Sequence, residues 1–248
     1  MIFDFLQGYE DTILKGALVT IEVAVLSLLV AVVLGMLGAL AKLSPYRCAR
    51  MVATAYTTII RGIPDLVLMM LIFFGGQILL NNSLYALNEH INSWMTSYNP
   101  AHEWTGYLPD YIDVSPFAAG ILTIGFIFGA YMAETFRGAI MAVDKGELEA
   151  AKAYGMNGSL AFRRILLPQM IRHAIPGFGN NWLVLLKTTA LVSIIGLEDM
   201  VRVGALAAGS TKMPFTFYMT VAVIFLFFTS ISIALLRLLE RKYTLHTR

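Results

Sequence analysis

The sequence predicts an all-α integral membrane protein: a bundle of five transmembrane helices, N-terminus outside and C-terminus inside. Three observations predict it. Of 248 residues, 58% are hydrophobic and 14% charged, and the mean hydropathy is +0.70; soluble domains carry about 25% charged residues. Five segments reach the roughly 20 apolar residues that a bilayer crossing needs. The basic residues gather on one side of those segments. In lipid each backbone group must be satisfied within its own segment, so the spans are helices rather than open strands.

The spans cover residues 12–41, 53–80, 115–142, 177–197 and 214–239. They read as one bundle, and residues 1–248 as one domain. Lys42, Arg47 and Arg50 lie between the first two spans. Arg137, Lys145, Lys152, Arg163, Arg164 and Arg172 end or follow the third, and Arg237, Arg241, Lys242 and Arg248 close the fifth. Opposite them stand Lys15, Arg202 and Lys212, while Arg61 and Lys187 fall inside spans. Basic loops stay cytoplasmic, which sets the orientation. Asp4, Glu10 and Asp11 occupy the place of a basic leader, so no signal peptide is expected. The single Cys48 excludes an internal disulfide and a cysteine metal cage. His90, His102, His173 and His246 lack metal-ligand spacing.

Loop 81–114 holds Glu89, Glu103, Asp110 and Asp113 with no Lys or Arg, and is therefore external. Leu84, Leu87, Ile91, Trp94 and Met95 recur there at helical spacing, the pattern of a loop helix packed on the bundle. The other reading is a helix lying on the outer membrane surface. Ala31, Gly35 and Ala39 in span one, and Gly125, Gly129 and Ala133 in span three, form small-residue faces for close packing. Their partner is either within the chain or on a second subunit.

Segment 143–176 is too polar to span. Glu147 to Tyr154 reads as a short helix of good helix formers. Gly155 suits its left-handed stop, Asn157 suits the cap of a second helix, and Pro168 is expected to end or kink that helix. Either this is a connector folded on its own bundle, or it is a cytoplasmic docking element whose slim alanine face enters a partner.

Glu149, Ala150, Ala151, Gly155, Ile165, Leu167 and Pro168 match at full spacing the EAA motif of ATP-binding-cassette importer permeases. The likeness covers nearly the whole chain, through Arg61-Gly62-Ile63-Pro64-Asp65, Tyr131-Met132-Ala133-Glu134 and Leu186-Lys187-Thr188-Thr189. The chain thus resembles the type I (MetI-like) importer permeases, within their polar-amino-acid branch. Its closest resemblance is to the Q-type subunits of histidine, lysine, arginine and ornithine importers. The resemblance implies alternating access in the inner membrane. It also implies a coupling helix seated in an ATPase subunit, a second homologous permease that differs from this chain, and a periplasmic amino-acid-binding protein. Besides membrane lipid no other partner is expected, and no nucleic acid. ATP and magnesium would sit on the ATPase, with no cofactor, metal or catalytic residue here. The sequence agrees, since it has no Gly-Lys dipeptide and hence no phosphate-binding GxxxxGK[ST] loop.

Ionisable groups inside spans are functional candidates by default. Asp65 falls near mid-membrane on span two, with Arg61 four residues earlier; Lys187 and Thr188 fall near mid-depth on span four. Glu134 lies toward the cytoplasmic end of span three and suits a packing or gate hydrogen bond. Asp65 either holds a cationic cargo side chain or pairs with Arg61 along one helix face or with Lys187, and the structural pair is the first expectation. Glu198 and Asp199 are expected at a solvated outer helix end. Two other classes stay open. One is an ion-driven secondary transporter, disfavoured by the lack of inverted repeats and paired broken helices. The other is an intramembrane enzyme, disfavoured because His102-Glu103 has no second His.

Overall fold

The computed structural model describes residues 6–99, 108–109 and 111–244. Asp4, His102, Glu103, Asp110, His246 and Arg248 lie outside the described residues. Helix α1 (Glu10–Leu43) crosses first, and a short turn leads to α2 (Arg47–Gly62). Next come α3 (Asp65–Met70), a π turn (Leu71–Gly75) and α4 (Gly76–Tyr98), which form one continuous rod. Helix α5 (Pro116–Met141) returns to the cytoplasm. There α6 (Lys145–Ala153) precedes α7 (Gly158–Ala161), a π turn (Phe162–Leu166), α8 (Leu167–Thr188) and a 3-10 turn (Thr189–Ile195). Helices α9 (Met200–Thr211) and α10 (Pro214–Thr244) complete the described chain. Among the described residues five helical stretches are long and apolar enough to cross a membrane: Glu10–Leu43, Asp65–Tyr98, Pro116–Met141, Gly158–Ile195 and Pro214–Tyr243.

The bundle is organised around α5, the most enclosed span. Ile124, Ile127, Phe128 and Met132 of α5 are fully buried against Val23 and Ala24 of α1, Met69 of α3, and Leu185 and Leu186 of α8. The small-residue faces meet within the chain. A Cβ added at Gly125 would stand 2.6 Å from Val30, and one at Gly129 2.8 Å from the Leu34 Cβ. The α1–α5 seam therefore exists because these positions carry no side chain.

Four expectations change. Span two is not one helix: Ile63 adopts φ −110°, ψ 140° between α2 and the Asp65 rod. Pro64 forces this, because proline drives its predecessor out of the helical region and offers no N–H. Second, the apolar positions of loop 81–114 belong to the tail of that rod, and the helix Gly76–Tyr98 buries no residue. They form neither a packed loop helix nor a separate surface helix. Gln77 and Asn81 bond to Ile112 and Val114 near the start of α5, so the residues beyond Asn81 project outward. Third, Pro168 does not end its helix, the first of the two outcomes expected for it. The helix runs unbroken over Gly158–Ile195, 38 residues, with the π turn immediately before the proline. A π turn loosens the i→i+4 ladder where the proline removes a donor. Fourth, α9 was not expected at all, because 12 residues with scattered apolar positions are too short to register as a span.

Among the described residues the helix break at Gly62–Pro64 precedes the rod, and α3 packs on the 3-10 turn that ends Gly158–Ile195 before left-handed Gly196.

Candidate functional site

The cytoplasmic element is capped at every end. The Asp144 carboxylate accepts from Gly146 N at 2.8 Å to start α6. At its other end Gly155 N donates to Lys152 O (2.9 Å) and Met156 N to Ala151 O (3.0 Å), with Gly155 at φ +78°. This is a Schellman stop, and a Cβ at its left-handed residue would be strained. Asn157 Oδ1 then accepts from Leu160 N at 2.8 Å, as its cap position predicts. The motif residues divide their work. Ala151 is buried against the chain itself, and Ile165 and Leu167 are half-buried supports. Glu149, Ala150 and Pro168 are exposed. The alanine face is thus only partly outward. Two features escaped the sequence reading. Tyr154, at 87% exposure, is the large side chain at the outer end of α6, and an aromatic next to the glycine stop was the available signal. The Gln169 amide donates to the Glu147 carboxylate and ties α6 to α8, a pairing across 22 positions that no local pattern reveals.

A second cluster forms around the break in span two. The Arg61 guanidinium lies 5.4 Å from the Tyr131 ring centre, a cation–π contact. Asp65 is half-buried in the first turn of α3. Tyr131 precedes the end of α5 by ten residues, which puts this cluster roughly 15 Å above the cytoplasmic end, about mid-bilayer. Among the described residues Asp65 has no ion pair with Arg61 or Lys187. The expected intrahelical Arg61–Asp65 pair is therefore absent, since the two residues belong to different helices. Lys187 is exposed, whereas Thr188 is buried and donates its hydroxyl to Val184 O at 3.0 Å. Both sit just before the 3-10 turn on which α3 packs.

Glu134 belongs elsewhere. It accepts from Lys42 Nζ and from Arg137 Nε, the latter at 3.0 Å, while Lys42 also donates to Thr57 Oγ1 at 2.7 Å. One carboxylate thereby clamps α1, α2 and α5 near the cytoplasmic end. The sequence alone places Lys42 in the first loop, because nothing local shows that α1 carries it as far as Glu134. Asn181 Nδ2 donates to Thr135 Oγ1 at 3.0 Å and links α8 to α5 at a neighbouring level.

At the outer end Glu198 is exposed, but Asp199 is fully buried and caps α9, accepting from Arg202 N at 2.9 Å. Its Oδ2 has no partner among the described residues. The Gly16 position of α1 abuts the Met200 backbone so closely that a Cβ there would lie 2.8 Å from Met200 N. Burial raises the Asp199 pKa from 3.8 to about 6, against the lowering effect of backbone N–H bonds. A carboxyl that holds its proton more tightly when folded loses stability as pH rises from about 4 through about 6, here by an amount on the order of 3 kcal/mol. The Asp199→Asn variant lacks that titration. Its stability relative to wild type should improve with rising pH by up to that amount, read from unfolding in detergent between pH 4 and 8. A pH-independent difference between the two would exclude this origin.

The family of binding-protein-dependent transport system inner membrane components matches residues 13–245. The histidine/lysine/arginine/ornithine transport system permease protein HisQ of Escherichia coli (strain K12) is 48% identical over 239 residues, 96% of each chain. A crystal structure of an amino acid ABC transporter with histidines superposes with TM-score 0.73 at 30% identity, covering 94% of this chain and 95% of that one. The inward-facing MetNI methionine ABC transporter shares the fold alone, at TM-score 0.65 and 14% identity. With its five spans, its capped cytoplasmic helix and a family match over nearly its whole length, the chain belongs to the inner membrane components of binding-protein-dependent transport systems.

Proposed function

We propose that the chain is the permease subunit of an ATP-driven importer of basic amino acids. Family membership brings an ATPase subunit and a substrate-binding protein as partners, and the chain itself is not an enzyme. What carries the reading is one continuous helix. Gly158–Ile195 starts at the Asn157 cap beside α6 and ends in the 3-10 turn against α3, where Asp65 begins the next rod. A displacement of α6 reaches that helix across the short turn 154–157 and is carried along it toward mid-membrane, the kind of rigid link a bistable bundle needs. Glu149, Ala150 and Tyr154 form the exposed docking face, Gly155 sets its angle, and Ala151, Ile165 and Leu167 hold it to the bundle, with the exposed Pro168 following them. Arg61, Asp65, Lys187 and Thr188 border the substrate path at mid-depth, and Glu134 acts as a clamp below it. Basic cargo is supported by the name of the HisQ relative and by the Asp65 carboxylate, which has no ion pair among the described residues. ATP and magnesium bind the ATPase. A second, related permease completes the path, for which the little-enclosed Asp65–Tyr98 and Pro214–Tyr243 helices offer apolar faces.

The test is co-purification. Glu149→Lys and Gly155→Asp should each lower the ATPase recovered with the tagged permease about tenfold or more, with permease levels in the membrane unchanged. Equal recovery would overturn the docking assignment. Uptake that survives ATP depletion but collapses with the proton gradient would favour the ion-driven alternative instead.

A further inference from the structure

Between the cytoplasmic ends of α8 and α10 lies a pocket of about 310 Å³, where Ile175, Pro176 and Tyr243 form apolar walls beside the polar groups of Gln169, Arg172, His173 and Glu240. It shares Ile175 and Tyr243 with an apolar groove of about 340 Å³. That groove runs from Ile171 and Leu239 past Leu236 to Phe178, over Met36 of α1 and Phe136 of α5. A charged cup at the membrane boundary thus opens into a slot between spans. Among the described residues neither Arg172 nor His173 has a hydrogen-bond or ion-pair partner, whereas Glu240 is engaged. Arg237, Arg241 and Lys242 are exposed on the last turns of α10 and make the surroundings basic.

From this geometry we infer that the pocket and groove are a binding site for an anionic phospholipid of the inner leaflet. The headgroup phosphate sits at Arg172 and His173, and an acyl chain fills the groove. Basic pockets between spans on the cytoplasmic side recruit such headgroups, and an arginine fork suits a phosphate. A soluble phosphate compound has no use for the slot, and a neutral lipid has none for the Arg172 guanidinium. The lipid also bears on coupling. Gln169 lines the same cup and holds Glu147 of α6, so an occupied cup braces the root of the docking helix.

The experiment uses the transporter complex purified from membranes and equilibrated with phosphatidylcholine containing phosphatidylglycerol. Retained lipid is counted by native mass spectrometry. Wild type should keep phosphatidylglycerol in preference to phosphatidylcholine. The Arg172→Ala/His173→Ala variant should keep at least fivefold less, Arg172→Lys should keep most of it, and Leu239→Trp should lose it by filling the groove. The readout is independent of cargo and of uptake, so its failure leaves the import reading untouched. Three results would each overturn the site: equal retention by wild type and the double alanine variant, displacement of the lipid by millimolar inorganic phosphate alone, or cross-links showing a second permease seated in the groove.

Discussion

Asp65→Asn is expected to reduce uptake of arginine and lysine by tenfold to a hundredfold, with normal membrane levels and normal ATPase association. The carboxylate is half-buried, about mid-bilayer, and has no ion pair among the described residues. It opens a helix whose N-terminal dipole favours a negative charge there. A hydrogen bond between a charged cargo group and a carboxylate is worth roughly 1.5–3 kcal/mol, and each 1.4 kcal/mol is about tenfold. Loss of that contact should fall on basic cargo alone, so competition by neutral amino acids should be unchanged. Asp65→Glu should recover part of the uptake. Unaltered transport and selectivity in the Asn variant would remove Asp65 from the substrate path.

Gly35→Val should abolish accumulation of folded protein, the largest structural effect expected of a single substitution. A Cβ at Gly35 overlaps the Cβ of Met132 and stands 3.0 Å from its carbonyl carbon. The obstacle is therefore the backbone of α5 as well as a side chain, and relief requires the two most extensively packed helices to separate. Overpacking costs typically 1–3 kcal/mol where a side chain can yield, and a backbone cannot yield alone. Gly138→Ala is the control, because nothing lies within 4 Å of its added Cβ and alanine favours the helix. Fluorescence-detected size-exclusion profiles should show a monodisperse peak for Gly138→Ala and none for Gly35→Val. A normal peak for Gly35→Val would mean that the α1–α5 seam is not close-packed in the membrane.

The spans were legible because crossing a bilayer is a local test, a sum of transfer energies over about 20 neighbours. The caps at Asn157 and Gly155 were legible for a similar reason, since each needs only its own few residues. The junctions were harder. Apolar residues continue through Gly62–Pro64, so hydropathy joined α2 to the rod, and the proline signal was outweighed. The polarity of 158–176 hid the fact that the same helix continues into the membrane. Pro168 looked like a terminus or a kink because the π turn that accommodates it has no sequence signature.

By itself, then, the sequence determined the spans, the side on which its basic residues gather and the caps of the cytoplasmic element, while the class of machine came from its resemblance to importer permeases. The former depend on hydropathy, charge asymmetry and the few residues around each cap. Only the tertiary structure decided which charges meet. It freed Asp65 from Arg61, gave Glu134 to Lys42, buried Asp199 under α1 and left Arg172 and His173 open beside an apolar groove. The reason is physical. A span is selected by the lipid around it, residue by residue, whereas a polar partner inside the bundle is selected by which helices their small residues let approach.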